Sequence, residues 1–180
     1  MNALFPSLQS LAISVNSDLV ASLVQLVPAL RALSLQISDH KCDIMQDVVK
    51  LESLTMLHIT YRKDTVFTAA NLKELRVLTR LRKLCISRRD AVLKAPDFTS
   101  QDFATMICEF TELREFTFLV ECELDSTAVF KALGRSCTSL LFFQARIAVN
   151  LPGLQTCPAA LLPNLFDLQV NEFITTDLEQ

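Results

Sequence analysis

Seven times along the chain the sequence repeats a phrase of one form, apolar-x-x-Leu-x-x-apolar-x-apolar: FPSLQSLAI, VPALRALSL, LESLTMLHI, LTRLRKLCI, FTELREFTF, CTSLLFFQA and LPNLFDLQV. The shared leucines are Leu8, Leu30, Leu54, Leu81, Leu113, Leu140 and Leu165, separated by 22, 24, 27, 32, 27 and 25 residues. Four positions in seven phrases give 28 places, and every one is apolar against a 51% hydrophobic background. Chance agreement is about 10^-8 before allowing for the choice of register. A period of this length means one supersecondary unit used repeatedly, each too small to bury its apolar face alone.

Within each phrase the ending Leu-x-x-apolar-x-apolar alternates, the period-2 signature of a short strand with one face buried. Between phrases the spacing changes to a helical one. Leu19, Leu23, Leu26 and Val27 share a face, as do Ile44, Val48 and Leu51, then Phe103, Met106, Ile107 and Phe110, then Val129, Leu133 and Cys137. Asp18, Asp43, Thr68, Ser100 and Asp125 stand before these stripes as expected helix caps. The expected fold is α/β: a single domain over residues 1–180, a solenoid of about seven repeats with parallel strands on a concave face and helices on a convex one.

That register also sorts the solvent side. Residues alternating with the buried ladder should line the concave face, with Ala12, Ser34, His58, Cys85, Thr117, Gln144 and Gln169 along its centre. Met56, Lys83, Glu115, Phe142 and Asp167 flank them on one side, and Gln36, Thr60, Ser87 and Arg146 on the other. From this set Ser34, Met56, His58, Lys83, Cys85, Glu115, Thr117, Phe142, Gln144 and Gln169 are the candidate partner-binding residues. The surface is mixed and mostly neutral, which suits protein recognition.

Charge and composition exclude other classes. With 17 basic and 20 acidic residues the net charge is -3, so no field favours nucleic acid or anionic lipid. Two glycines in 180 residues leave little for phosphate-cradling loops, and no P-loop, G-x-G-x-x-G or G-x-S-x-G is present. The longest apolar window, 19–37, is interrupted by Gln25, Pro28, Arg31 and Gln36, unlike a membrane span. Cys42, Cys85, Cys108, Cys122, Cys137 and Cys157 are scattered with no C-x-x-C, so buried free thiols are expected. Residues 1–30 hold no Lys or Arg and therefore lack the basic flank of a signal peptide. A reducing compartment, cytoplasmic or nuclear, follows.

Catalytic and metal-binding candidates are sparse, and neither a cofactor nor a metal is expected. His58 lies between Leu57 and Ile59 and reads as a surface imidazole or a partner contact. His40 and Cys42 form a two-residue cluster, too few for zinc without distant ligands. Cys85, near Arg82, Lys83, Arg88 and Arg89, reads either as a small strand residue or as a thiol with a lowered pKa. An enzyme using Cys85 or Cys137 as nucleophile is one alternative to a binding module. Basic residues concentrate at Arg62, Lys63, Arg76, Arg80, Arg82, Lys83, Arg88 and Arg89, and acidic ones follow at Glu109, Glu112, Glu115, Glu121, Glu123 and Asp125. They read either as a steering pattern for a partner or as self-compensating pairs.

The phrases resemble leucine-rich repeats across residues 4–170. The ribonuclease-inhibitor or cysteine-containing subtype is nearest, since helix follows strand and CTSLLFF resembles a C-x-x-L-x-x-L opening at Cys137. The asparagine many such repeats carry after the strand is missing; its place falls near Val15, Ile37, Tyr61 and Arg88. LFPSLQSLAIS, STAVFKALGRSCTSL, LLPNLFDLQV and the final ITTDLEQ are similar to fungal F-box proteins with divergent repeats. That resemblance implies a substrate receptor of a cullin-type ubiquitin ligase, in which an F-box grips a Skp-type adaptor and the repeats present the target. Because the first phrase begins at Phe5, no F-box is expected here and adaptor binding is assigned to no residue.

The ends suggest a partial array. The first strand starts close to Met1 with little to cover its edge, and Thr176, Asp177, Leu178 and Glu179 read as a capping box opening a further helix. The leading expectation is a non-enzymatic protein-binding module of an F-box-like ligase receptor. A repeat segment of another scaffold, such as an immune-type sensor, and a truncated remnant without independent function are the alternatives.

Overall fold

A computed structural model describes residues 5–41, 43–155 and 161–175. The alternating ends of the seven phrases all become strands of one parallel sheet: β1 (Ser10–Val15), β2 (Ala32–Ile37), β3 (Met56–Tyr61), β5 (Lys83–Arg88), β7 (Glu115–Phe118), β8 (Phe142–Ala145) and β10 (Asp167–Gln169), side by side in chain order. Between them run helices α1 (Val20–Leu26), α2 (Met45–Val48), α3 (Ala69–Lys73), α4 (Ser100–Ile107), α5 (Ser126–Ser136) and α6 (Leu151–Gln155). The protein is thus α/β, a parallel sheet flanked by helices.

The first half of the phrase has its own conformation. In every repeat the shared leucine donates its N–H to the carbonyl three residues earlier, at 3.2 Å for Leu8 to Phe5, 3.3 Å for Leu30 to Val27 and 3.0 Å for Leu54 to Leu51. Leu81, Leu113, Leu140 and Leu165 repeat the contact onto Leu78, Phe110, Cys137 and Leu162. The phrase is therefore a turn with apolar residues at both ends, running straight into a strand.

The carbonyl of the residue after the leucine then accepts two N–H groups from the next repeat. Gln9 O receives Arg31 and Ala32, Arg31 O receives Thr55 and Met56, and the series continues through Thr55, Arg82, Arg114 and Leu141. The register that follows pairs Leu33 with Leu57, Leu57 with Leu84, Leu84 with Phe116, and Phe116 with Phe143. One row of apolar side chains results, and its members from Leu33 to Phe143 are each at most 1% exposed. The alternating residues stay half-buried or exposed. The helices therefore cover one face of the sheet and leave the other open.

Toward β7 and β8 the row changes from leucine to phenylalanine. Phe116 meets Phe143 at 5.7 Å between ring centres, Phe103 of α4 at 6.0 Å and Phe118 at 5.9 Å. Volume is balanced across the register, since bulky Phe118 has Ala145 as its strand partner. The 32-residue gap between Leu81 and Leu113 is taken up by β6 (Leu93–Lys94), which pairs with β4 (Thr65–Val66) in a second short ladder. A third such ladder joins β9 (Ala148–Asn150) to β11 (Glu172–Ile174).

Helix starts follow the sequence in part. Thr68 and Asp125 cap α3 and α5 as expected, each accepting from the N–H three residues on. Ser100 does not cap α4; Thr99 does, in a reciprocal box with Asp102, while the Ser100 hydroxyl accepts from the Asp125 N–H at 2.8 Å. Asp18 lies inside a 3-10 turn, Ser17–Leu19, and Asp43 gives way to Ile44 at the start of α2, without a side-chain cap. The turn at Ser17 is held from the neighbouring repeat, where Asp39 accepts both its N–H and its hydroxyl. In α1 Val20 and Val24 are buried, Leu23 and Leu26 pack partly buried against the core and Val27 just beyond is buried, so of the expected face only Leu19, 55% exposed, turns outward. The other three helical faces are buried as anticipated.

Three of the four positions where an asparagine was missing carry side chains buried in the core. Val15, Ile37 and Tyr61 are buried, with Tyr61 edge-on to Phe67 at 5.3 Å, and Arg88 bonds the Ala91 carbonyl at 2.8 Å. Of the cysteines, Cys137 is buried, Cys85 and Cys122 are half-buried, and Cys108 is exposed, contrary to expectation. Cys42, Cys157 and the Thr176 capping box lie outside the described residues. Among those described, no helix is long and apolar enough to cross a membrane.

Two predictions follow from this packing. A Cβ on Gly134 of α5 would lie 2.2 Å from the Leu161 carbonyl oxygen. Alanine in mid-helix ordinarily gains about 1 kcal/mol over glycine, but overpacking against backbone costs about 1–3 kcal/mol. Gly134→Ala should therefore lower the urea midpoint instead of raising it. The second concerns Asp102, whose carboxyl is held down at about 2 by Lys73, 2.7 Å away, and then by the Thr99 hydroxyl and N–H. A lowered folded-state value stabilises above the ordinary carboxyl pKa and is lost as pH falls. The stability gap between the parent and Asp102→Asn should be full above pH ~4 and close toward pH ~2, as read by urea melts across that range.

Candidate functional site

The open face is built by the strand register itself. Ala12, Ser34, His58, Cys85, Thr117, Gln144 and Gln169 are successive cross-strand partners, one per strand, along its middle. Beside them Ala32, Met56, Lys83, Glu115, Phe142 and Asp167 form a second row in the same way. Backbone alternation puts both rows on the side away from the core.

Six of the ten candidate residues meet in one hollow of about 840 Å³: His58, Lys83, Cys85, Glu115, Thr117 and Phe142. Ser34 lies apart, with Ala12, Gln36 and Thr60 around a shallower depression of about 350 Å³ over β1 to β3. Met56 is 40% exposed beside the hollow but does not line it. Gln144 and Gln169 continue the central row outside it, Gln169 donating to Asp167 at 3.3 Å.

Four further residues complete the lining: Leu141, Asn164, Phe166 and Asp167. Leu141 is 44% exposed and Phe166 94% exposed. Both occupy the position just after the shared leucine, where the earlier phrases carry Gln9, Arg31, Thr55, Arg82 and Arg114. The change from polar to large apolar in that one column is the signal that marks them. A ladder-based reading passes over it, because this column precedes the strand.

Inside the hollow the polar groups largely satisfy one another. Lys83 and Glu115, partners across β5 and β7, form an ion pair. The His58 Nε2 is 3.0 Å from the Thr60 hydroxyl and 3.3 Å from that of Ser87, and the two hydroxyls are 3.0 Å apart. Burial, and then the Lys83 charge, lower the His58 pKa, so the imidazole is neutral at pH 7. Burial also pushes the Cys85 thiol up; Ser87, Thr117 and Lys83 oppose this without reversing it. The basic neighbours in sequence therefore do not activate Cys85. The Cys137 thiol is driven to about 12 by burial alone.

Of the basic run, Arg82 reaches Glu112 at 2.9 Å and Lys83 pairs with Glu115; the acidic run's Glu121 is bound instead by Arg146. Among the described residues no three His, Cys, Asp or Glu side chains converge as metal ligands. No family model matches the chain, and no curated protein matches it.

The electrostatics of the hollow are checked at His58. Its imidazole should titrate below the ordinary histidine value by NMR. In Lys83→Met the value should rise but stay below that reference, since burial is the larger cause. A value unchanged by the substitution would show that Lys83 does not act on the ring.

Proposed function

We propose that the chain is a leucine-rich-repeat solenoid segment, its open sheet face concave, that works as a protein-recognition module and not as an enzyme. The observation that carries this reading is the open face. One side of the sheet presents an uninterrupted two-row surface, mixed in polarity, with a wide hollow where apolar side chains stand in solvent. Exposed large apolar groups beside satisfied polar ones are the composition of a recognition patch.

The chain-ordered parallel strands, the leucine turn repeated in all seven phrases and the neighbour-to-neighbour contacts support the solenoid. The raised thiol values of Cys85 and Cys137 favour binding over nucleophilic chemistry. The more specific role, presenting a target as the repeat portion of an F-box-like ubiquitin ligase receptor in the cytoplasm or nucleus, rests on the resemblance of its phrases. Under this reading neither nucleic acid nor membrane is a partner, and no cofactor is used.

The test is affinity capture from a fungal lysate with the parent chain and with a variant carrying His58→Ala, Glu115→Ala and Phe142→Ala, followed by rebinding of the purified candidate. Binding to the parent with at least tenfold weaker binding to a folded variant is expected. Ligase subunits bridged by the captured protein would favour the receptor role. Equal binding by both chains would remove the open face as the site.

A further inference from the structure

Along the hollow's outer row three consecutive strands place Glu115, Phe142 and Asp167 as cross-strand partners, so one aromatic ring is flanked on each side by a carboxylate. Phe166 and Leu141 stand beside it, exposed. The charged groups facing this space are Lys83, Glu115 and Asp167, with neutral His58 farther along the face. Lys83 is taken up by Glu115. Asp167 accepts only from the Gln169 amide, with no cation in salt-bridge range among the described residues. Among the described residues the hollow is thus apolar at one end, carries one uncompensated negative charge there, and has its lysine ammonium committed to a neighbour.

We propose that this end of the hollow takes an arginine or lysine side chain from a partner protein, laid over the Phe142 ring with its charged head between Asp167 and Glu115. The long aliphatic stem of such a residue suits the exposed Phe166 and Leu141, while its cation answers both the ring face and the carboxylates. An acidic side chain would meet Asp167 and a Lys83 already neutralised. A purely apolar one would leave Asp167 desolvated against it. The inference rests on the protein-recognition reading above and names what that site selects.

The sign of the Lys83 effect discriminates. If the occupant is basic, Lys83 competes with it for Glu115, so removing Lys83 tightens binding; if the occupant is acidic, the same change weakens it. Peptides selected from a random displayed library against the folded chain should share an arginine or lysine. By fluorescence polarisation they should bind Asp167→Asn about tenfold more weakly, Phe142→Leu about threefold more weakly and Lys83→Gln several-fold more tightly, each variant being checked by its circular dichroism melt. Selected peptides with no common basic residue, or weaker binding by Lys83→Gln, would overturn the inference and leave protein recognition standing. Failure to select any peptide also overturns it. The recognition reading itself falls only if the capture experiment finds no partner lost with the open-face variant.

Discussion

Between each repeat and the next, one backbone oxygen, on the residue following the shared leucine, accepts two successive N–H groups at the entry to the next strand. That contact sets the register for every side chain beyond it. Because strand side chains alternate, a slip of one residue would send Leu33, Leu57 and Leu84 to solvent and bring Ser34, His58 and Cys85 into the core. The leucine turn just before it aims the chain at that oxygen, and its apolar ends, such as Val27 with Leu30 and Leu51 with Leu54, are buried. Hydrogen bonding and burial thus select the same alignment, and the helices need only close the remaining face.

Much of this was legible in the residues because two periods alternate cleanly. The strand partners, the buried ladder and both rows of the open face follow from aligning the leucines alone. Local capping was less legible: Thr99 and Ser100 are both good cap residues, and three-dimensional context decides between them, because the Ser100 hydroxyl is engaged by the Asp125 N–H. Leu19 departs from the expected α1 face for a related reason, since it falls in the 3-10 turn whose Ser17 is tied to Asp39, while Leu23, Leu26 and Val27 pack inward. At the site, six of ten candidates converge, but the exposed apolar rim was invisible to an alignment that scored only what is buried.

The open face combines weak and strong elements in an orderly way. Its ion pair joins side chains that are 40% and 48% exposed, a setting in which such pairs contribute little to stability. Lys83 and Glu115 are thus free to exchange partners at small cost. The Thr60, Ser87 and His58 cluster, which touches the hollow through His58 alone, is better satisfied. Apolar exposure on this face is greatest at the Leu141 and Phe166 end, 44% and 94% against 40% for Met56.

The uneven distances between phrases have a consequence for how such a chain can change. Closing a longer loop costs entropy only logarithmically, so the 32-residue interval exceeds the 22-residue one by about 0.3 kcal/mol. The longer interval recovers far more than this by burying Leu93, Ala95 and Phe98. Insertions between strands are therefore nearly free, provided they bring an apolar residue or two of their own. Evolution can lengthen or shorten each interval independently without disturbing the register of the sheet, and so remodel the periphery of the molecule while its open sheet face stays in place.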